Sequence, residues 1–352
     1  MNILILGGTG TIGLALINEL KTLNHTLWIT SRVEHKSNVN VNYINGNAKD
    51  NKFIMKVLER DYDVIVDFMN YSTIELSNRI ELILSHTKHY FFISSGRVYA
   101  GKQGKITEDS PRLLDVCTDK NYLSTDEYAL AKAREENILR KCKFNNWTII
   151  RPYITYGNYR LQLGVLEKEN WLYRAIHGRT IIFFKDIAAR MTTLTCSSDV
   201  SHVIAELIGN DNVKGETFHI TTNETMTWND ILNRYLEIFE KQMGVRPKVL
   251  MLEESIVMKP VWNHYQIKYD RLFNRSFDNM KILKLCSDIN YKGINEGICE
   301  CLTNFLDNPM WLNINWKYEA WADRLAHEHT PLKEIPGIKN KLRYLKWRYI
   351  KM

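Results

Sequence analysis

A tyrosine and a lysine four positions apart are the residues in this sequence best suited to moving a proton. Tyr128 and Lys132 lie in a stretch with helical spacing that runs on to Leu139. Residues four apart share one face of a helix, so both side chains project in the same direction. An ammonium beside a phenol stabilises the phenolate, which lets the tyrosine exchange a proton with a substrate hydroxyl or carbonyl. Ser95, which follows a buried strand upstream, can hold that same oxygen.

A glycine-rich turn near the start of the chain points to a nucleotide ligand. An apolar run at residues 3–6 meets the turn, and apolar residues at helical spacing follow it. Glycines let the backbone turn tightly and approach a pyrophosphate, while the unpaired N–H groups of the helix start face the phosphates. We therefore predict a dinucleotide site, and its turn residues are Gly7, Thr9, Gly10, Thr11, Ile12 and Gly13.

The end of the second predicted strand, residues 27–30, bears on the choice of dinucleotide. About 20 residues beyond the glycines of such a site, an acidic side chain accepts a hydrogen bond from the ribose 2′-hydroxyl, whereas an arginine accommodates a 2′-phosphate. Ser31 and Arg32 stand at that position here. They favour NADP, and NAD is the alternative.

Apolar runs that alternate with helical stretches give the elements that must position these residues. Further buried strands are predicted at residues 42–45, 63–68 and 90–93. This alternation is typical of an α/β fold with a doubly wound parallel sheet of the Rossmann type, in which ligands bind at the carboxyl ends of the strands. Phe68, Met69, Ser94 and Ser95 are expected at those ends, and the turn at residues 46–50 is where an adenine ring would lie.

Composition and charge limit the classes of protein to consider. The 352 residues are 45% hydrophobic, and no apolar run is long enough to span a bilayer, so we expect a soluble cytoplasmic protein. The six cysteines are scattered and are interpreted as reduced thiols, and no metal site is predicted. Six of the 47 Lys and Arg residues follow Gly337, where no acid occurs, so the formal charge of +7 lies mostly in the tail.

Several motifs together resemble the extended short-chain dehydrogenase/reductases, which act mainly on nucleotide sugars. The likeness covers roughly the first 300 residues. Its motifs are the segments 7–13, 92–99 and 151–157, and Tyr128 with Lys132 and Glu136. The resemblance implies Ser95, Tyr128 and Lys132 as the catalytic set. It also implies that four residues line the adenosine and ribose side of the cofactor, namely Asn47, Ala48, Phe68 and Met69.

The sequence departs from this family's patterns in ways that bear on the reaction. Family dehydratases usually carry an Asp-Glu pair after the active-site serine or threonine, where this chain has Gly96 and Arg97, so dehydration is disfavoured. Family epimerases commonly have an asparagine where Ile154 stands, so the substrate must be recognised differently. Arginines match phosphate geometry. Four of them are candidates for binding the substrate: Arg97, Arg190, Arg271 and Arg275. For the last three, a role as a plain surface or ion-pair arginine is the alternative that we favour.

These observations define a domain plan and a functional hypothesis. Residues 1–160, with a return segment near 190–220, are expected to bind NAD(P), and residues 161–336 to form most of a smaller substrate domain. The hypothesis is an NADP-dependent reductase of a nucleotide-linked keto sugar in the synthesis of surface polysaccharide precursors. A nucleotide-sugar epimerase with bound NAD(P) is the enzymatic alternative. Because residues 63–71 and 151–157 are closer to a branch that includes chloroplast stem-loop RNA-binding proteins, an RNA-binding protein is the alternative from another class, although we expect no nucleic acid partner.

The tail, residues 337–352, is predicted to be an amphipathic basic helix. Ile338, Leu342, Leu345 and Tyr349 fall on one face at helical spacing. This stripe either docks on the enzyme's own substrate domain or on a partner subunit in a homodimer, or it lies on an anionic membrane surface. We favour docking on the protein, since most apolar stripes face the core of their own protein.

Overall fold

The computed structural model describes residues 1–101, 103–287 and 289–350. The strands are β1 Asn2–Leu6, β2 Thr26–Ser31, β3 Val41–Asn45, β4 Tyr62–Asp67, β5 Thr87–Ile93, β6 Trp147–Pro152, β7 Thr155–Tyr156, β8 Ile181–Phe184, β9 Met191–Thr192, β10 Thr195–Cys196, β11 Thr217–Ile220, β12 Met226–Thr227 and β13 Val249–Leu252. The helices are α1 Thr11–Lys21, α2 Asn51–Val57, α3 Thr73–Ser77, α4 Ile80–Ser85, α5 Leu113–Val116, α6 Lys120–Leu123, α7 Tyr128–Lys141, α8 Lys168–Ile176, α9 Lys185–Ala188, α10 Ser197–Leu207, α11 Trp228–Met243, α12 His264–Gln266, α13 Met280–Leu283, α14 Ile294–Asp307, α15 Trp316–Leu325 and α16 Ile338–Leu345.

The chain divides into two compact units, each made of several segments. Unit 1 comprises Met1–Thr155, Thr193–Glu224 and Ser276–Lys292. Unit 2 comprises Tyr156–Thr192, Thr225–Arg275 and Gly293–Met352.

Unit 1 is built on a seven-stranded sheet in the order β11-β6-β5-β4-β1-β2-β3. Every neighbouring pair of these strands runs parallel. From β1 the chain moves outward through β2 and β3, then returns to place β4 on the other side of β1. The predicted doubly wound sheet is confirmed, and its topological switch point lies between β1 and β4, where ligands bind in such folds.

Side chains of β1 explain why helices cover both faces of this sheet. Ile3 and Ile5 belong to one core cluster with α1 and α10, whereas Leu4 and Leu6 belong to another with helices α2 to α4. Successive residues of a strand point to opposite faces, so an uninterrupted apolar run is what a strand buried on both sides requires. The predicted strands in this sheet differ from those in the structure by at most three residues at either end.

Unit 2 is mostly helical, and its helices are held together by both apolar and charged contacts. The rings of Trp171 and Tyr235 stack at 4.6 Å between centroids. The Arg174 guanidinium, which is fully buried, donates hydrogen bonds to Glu319 at 3.0 Å, Asp323 at 2.9 Å and Glu328 at 3.0 Å. These contacts tie α8 to α15 and to the residues that follow it.

The C-terminal helix α16 presents a different face to the protein than the sequence predicts. Tyr344, which is outside the predicted stripe, is buried in a cluster with Tyr173, Trp316 and Ile335. Of the stripe itself, only Leu345 packs against that cluster, while Ile338, Leu342 and Tyr349 are exposed. Docking of the stripe on the enzyme's own substrate domain was therefore wrong, because Tyr344, whose hydroxyl group is hydrogen-bonded there, docks in its place. Docking of the stripe on a partner subunit stays a prediction.

Three further observations concern the cysteines, membrane-spanning helices and the basic tail. All six cysteines are free, and among the described residues no helix is long and apolar enough to cross a membrane. The last of the six basic residues of the tail, Lys351, lies outside the described residues.

Candidate active site

The glycine turn between β1 and α1 has the geometry of a dinucleotide cradle. Gly7 has a φ of +69°, and a Cβ there would stand 2.8 Å from the sulfur of Met69. A Cβ on Gly13 would stand 2.6 Å from the carbonyl oxygen of Gly8, so helix and strand can approach only without one. Among the described residues, no atom lies within 4 Å of the Cβ position at Gly10, and no side chain caps the N-terminus of α1. The turn therefore fits a pyrophosphate at the helix start.

A cavity of about 300 Å³ opens beside this turn at the carboxyl ends of β1, β2 and β4. Its lining contains two cationic side chains, Arg32 and Lys49, and no carboxylate. The lining residues are Gly7, Thr9, Thr30, Ser31, Arg32, Gly46, Asn47, Ala48, Lys49, Phe68, Met69 and Asn70. The structure thus brings eight of the twelve residues predicted for the cofactor to one cavity, and the other four, Gly10, Thr11, Ile12 and Gly13, continue the same turn into α1.

Arg79, which the sequence analysis missed, shapes one wall of the cavity. Its buried guanidinium donates to the carbonyl oxygens of Ala48 at 2.9 Å and Lys49 at 2.7 Å, and to the side chain of Asn51 at 2.7 Å. The same group lies 4.9 Å from the ring centre of Tyr71. Arg79 therefore fixes the loop where the sequence predicts an adenine ring.

The helix that carries the tyrosine and lysine begins at the tyrosine itself. Glu127 caps α7 by accepting a hydrogen bond from the backbone N–H of Ala129 at 2.9 Å. Glu127 also accepts from Arg97 at 2.7 Å, and the Arg97 guanidinium lies 5.2 Å from the ring centre of Tyr128. Tyr128 stays 36% exposed, so its side chain is accessible from the solvent.

Ser95 begins the 3-10 turn at residues 96–98, which packs against α7. Its hydroxyl oxygen accepts a hydrogen bond from the N–H of Arg97 at 3.2 Å. The turn after β5 and the start of α7 therefore bring the serine and the tyrosine to the same side of unit 1.

Lys132 connects this pair to the cavity beside the glycine turn. Its ammonium donates to the carbonyl oxygen of Met69, a residue of the cavity lining, at 3.3 Å. It also lies 3.0 Å from a carboxylate oxygen of Glu135 and 4.5 Å from the ring centre of Phe92. The lysine is thus held at the carboxyl end of the sheet, at the edge of the predicted nucleotide site.

Two buried carboxyl groups adjoin Lys132, and neither was singled out from the sequence. Asp67 accepts hydrogen bonds from the hydroxyls of Tyr71 at 3.1 Å and Tyr90 at 2.9 Å, and Glu135 forms the ion pair with Lys132. Burial raises the pKa of both carboxyl groups, and the Lys132 ammonium opposes that rise. Lys132 therefore carries the positive charge that keeps a buried acidic cluster compatible with the fold.

Glu136 fastens α7 to the two strands behind it. Its carboxylate accepts two hydrogen bonds from Arg151 of β6, at 2.7 and 2.6 Å, and one from Ser94 at 2.7 Å. Arg112 and Arg140 add contacts at 3.1 and 3.3 Å. Burial favours the neutral carboxyl, but Arg151 and these partners outweigh it and lower the pKa of Glu136. Tyr128 and Lys132 are therefore carried on a helix with a fixed position.

The arginines predicted to bind substrate have different surroundings. Arg97 lies beside Tyr128, as described. Arg190, Arg271 and Arg275 belong to unit 2, where Arg190 is exposed. Arg271 and Arg275 are buried and both pair with Asp270, Arg275 at 3.0 Å. Buried guanidinium groups that pair with a carboxylate are typical of a structural network. Substrate binding by Arg271 and Arg275 stays a prediction, and their burial does not support it.

Among the residues that the structure describes, no three His, Cys, Asp or Glu side chains gather into a group that could hold a metal ion.

Solved structures with this fold include nucleotide-sugar enzymes. The dTDP-glucose 4,6-dehydratase of Bacillus anthracis in complex with NAD is 18% identical, with a TM-score of 0.67 over 88% of this chain and 98% of that one. The UDP-glucuronic acid 4-epimerase of Bacillus cereus in complex with NAD is 15% identical, with a TM-score of 0.64 over 88% and 99%. The enzyme WbmH of Bordetella bronchiseptica in complex with NAD⁺ is 12% identical, with a TM-score of 0.66 over 88% and 99%.

No curated protein sequence matches the chain. The model of the NAD dependent epimerase/dehydratase family, however, matches residues 3–220, which span the glycine turn, the cavity and the helix with Tyr128 and Lys132. The prediction of an enzyme of the short-chain dehydrogenase/reductase type is confirmed, and this chain belongs to the NAD dependent epimerase/dehydratase family.

Proposed function

We propose that this enzyme is an NADP-dependent reductase of a keto group on a nucleotide-linked sugar. The observation that carries the proposal is the arrangement of Tyr128 and Lys132 on one face of α7, with Lys132 bonded to the Met69 carbonyl at the edge of the cofactor cavity. The named activities of similar structures, a dTDP-glucose dehydratase and a UDP-glucuronic acid epimerase, support a nucleotide sugar as the substrate class.

The chain's own residues supply the proton and the orientation of the substrate. Ser95 holds the carbonyl oxygen by a hydrogen bond, and Tyr128 donates the proton that this oxygen takes up as it becomes a hydroxyl. The Lys132 ammonium stabilises the phenolate left on Tyr128 and holds the cofactor ribose. A bound nicotinamide dinucleotide supplies the hydride.

The lining of the cavity supports NADP as the preferred cofactor. Arg32 is exposed at the end of β2 and lines the cavity together with Lys49, and no acidic side chain is available there to accept from a ribose 2′-hydroxyl. A 2′-phosphate adds negative charge at the place where both cations lie.

An epimerase that retains its dinucleotide is the second candidate, because the family name and the solved complexes refer to NAD. Such an enzyme would oxidise and re-reduce one carbon with the same residues. It would show activity without added NADPH, and its cofactor would co-purify.

The test combines a cofactor panel with three variants, Tyr128→Phe, Tyr159→Phe and Arg32→Ala. We expect NADPH to raise the thermal midpoint more than NADH, and nucleotide-linked keto sugars to support NADPH oxidation. Tyr128→Phe should retain NADPH binding while losing about 10²- to 10⁴-fold in turnover, because it removes the proton donor alone. Tyr159→Phe, at another exposed tyrosine, is the matched control and should keep full activity.

Three results would contradict this proposal. Turnover by Tyr128→Phe close to that of the wild type would remove the proton donor from the mechanism. Equal stabilisation by NADH and NADPH, or Arg32→Ala binding NADPH as tightly as wild type, would remove the argument for NADP.

A further inference from the structure

The C-terminal helix α16 and the helical turn Lys346–Ile350 present two faces of different character. One face is attached to unit 2. The Tyr344 hydroxyl donates to Asp323 at 2.7 Å and accepts from the backbone N–H of Thr330 at 3.0 Å. Trp347 lies 4.3 Å below the Lys317 ammonium, measured to its ring centre, and Arg348 donates to the carbonyl oxygen of Glu328 at 3.1 Å. The segment is therefore held in a defined orientation.

The opposite face is apolar and exposed. Ile338 is 77% exposed, Leu342 62%, Tyr349 63% and Ile350 76%. Ile338, Leu342 and Tyr349 follow the spacing that places residues on one stripe of a helix. Single exposed aliphatic side chains are normal on a protein surface. Several that lie next to one another on one helix form a patch, and such a patch marks an interaction surface.

Cations adjoin this stripe on the same outward side. Lys339, Arg343 and Lys346 are exposed, and no aspartate or glutamate follows Glu334 anywhere in the sequence. At 100° per residue these cations lie alongside Ile338 and Leu342, on the side away from Tyr344. The outward face, defined here as Ile338, Lys339, Leu342, Arg343, Lys346, Tyr349 and Ile350, thus combines aliphatic tips with a row of positive charge.

We propose that the outward face binds the surface of an anionic lipid bilayer. Aliphatic side chains enter the boundary between headgroups and acyl chains, while long cationic side chains on the same face reach up to the phosphates. The opposite face stays attached to unit 2, so the helix lies in the plane of the membrane and the enzyme remains peripheral. The positive charge complements anionic headgroups, and its attraction weakens as salt is added.

The aliphatic residues distinguish this partner from RNA. Nucleic-acid binding draws on cations for phosphates and on aromatic rings for bases, and it gains nothing from Ile338 or Leu342. A bilayer interacts with both the aliphatic and the cationic side chains of the outward face. The inference concerns unit 2 and its tail only, so it is independent of the proposed reaction.

The experiment is co-sedimentation of the full-length protein with vesicles of two compositions, phosphatidylcholine with phosphatidylserine and phosphatidylcholine alone. We expect binding to the anionic vesicles that falls with added salt, and little binding to the neutral ones. Ile338→Ser/Leu342→Ser and Lys339→Gln/Arg343→Gln/Lys346→Gln should each weaken binding by about tenfold or more, since each removes one of the two contributions.

A matched control keeps the result specific to this face. Lys241→Gln/Met243→Ser removes one cation and one exposed apolar residue at the end of α11 and should bind as wild type. Every substituted side chain is exposed, so thermal midpoints should be unchanged. Leu342→Cys labelled with a thiol-reactive fluorophore should show a shift to shorter wavelength with anionic vesicles that the wild type, labelled in the same way at its six free cysteines, does not show, because the side chain at position 342 enters an apolar layer.

Three outcomes would overturn the proposal. The first is no co-sedimentation with anionic vesicles at low salt, and the second is equal binding to neutral vesicles. The third is a charge variant that loses binding while the Ile338→Ser/Leu342→Ser protein binds as wild type, with no shift of the fluorophore. That third pattern describes a general polyanion site, and a matching loss of binding to single-stranded RNA would identify it.

Discussion

Replacing Glu136 by glutamine should destabilise unit 1 strongly, because this buried carboxylate pairs with the buried Arg151 and also contacts Arg112 and Arg140. Glu136→Gln keeps the volume of the side chain but leaves Arg151, which is 1% exposed, without its anion. Removing one partner of a buried ion pair costs about 3–5 kcal/mol, against a total stability of about 5–15 kcal/mol. We therefore expect the thermal midpoint to fall by roughly 10 °C.

The dependence on pH gives this prediction a second, independent signature. Because the pKa of Glu136 is lowered in the folded state, its contribution is fully present above its usual value of 4.5 and is lost as the pH falls through the folded value. The wild type and the variant should therefore differ most near neutral pH and converge in acid. Urea unfolding from pH 7 downward measures the difference.

A matched substitution tests whether burial is the cause. Glu81 has a 60% exposed side chain and pairs with Lys143 at 3.5 Å, so Glu81→Gln should cost less than about 1 kcal/mol. If Glu136→Gln lost no more than this control, or if its deficit stayed constant down to acid pH, the reasoning from the buried network would be refuted.

Three further substitutions probe the cofactor turn, the lysine and the tail. Gly13→Ala should lower the thermal midpoint of the protein without cofactor, since its Cβ meets the Gly8 carbonyl at 2.6 Å, whereas Gly10→Ala has open space and should not; equal midpoints would contradict this. Glu135→Gln should lower the free energy of unfolding in urea, because the buried Lys132 ammonium would lose the carboxylate that lies 3.0 Å away; an unchanged free energy would count against a stabilising role for this ion pair. Tyr344→Phe should lose about 1–3 kcal/mol of unfolding free energy in urea through Asp323 and Thr330, and exposed Tyr349→Phe under about 0.5 kcal/mol; similar losses would show that the buried hydroxyl is not what matters.

The sheet and the cofactor turn could be predicted because their signals are local. A strand buried on both faces must be apolar throughout, as residues 3–6 are, and the contact that requires Gly13 is with the backbone of Gly8, five residues earlier. The pair Tyr128 and Lys132 is likewise fixed by the period of one helix. Sequence alone is informative wherever partner and position lie in the same element.

Residues whose role depends on distant partners could not be recognised. Arg79 holds a loop 30 residues away, and Glu135 is buried only because the sheet lies behind its helix. In sequence both look like ordinary surface charges. The face of α16 that packs on the protein could not be predicted for a related reason. The 3.6-residue period identifies the aliphatic stripe, but the packed face depends on the hydrogen-bonding partners that Tyr344 finds in unit 2.

The buried Arg174 network has a consequence for the synthesis of the chain. Its first acidic partner, Glu319, lies 145 residues further along. At ribosomal rates of about 5–20 residues per second, Arg174 emerges roughly 7–30 s before that carboxylate exists. During this interval no carboxylate partner exists for the guanidinium in a buried site. The α8 helix must therefore stay exposed to water, and unit 2 cannot complete its fold. Unit 2 is consequently the half of the nascent protein that we expect chaperones to engage.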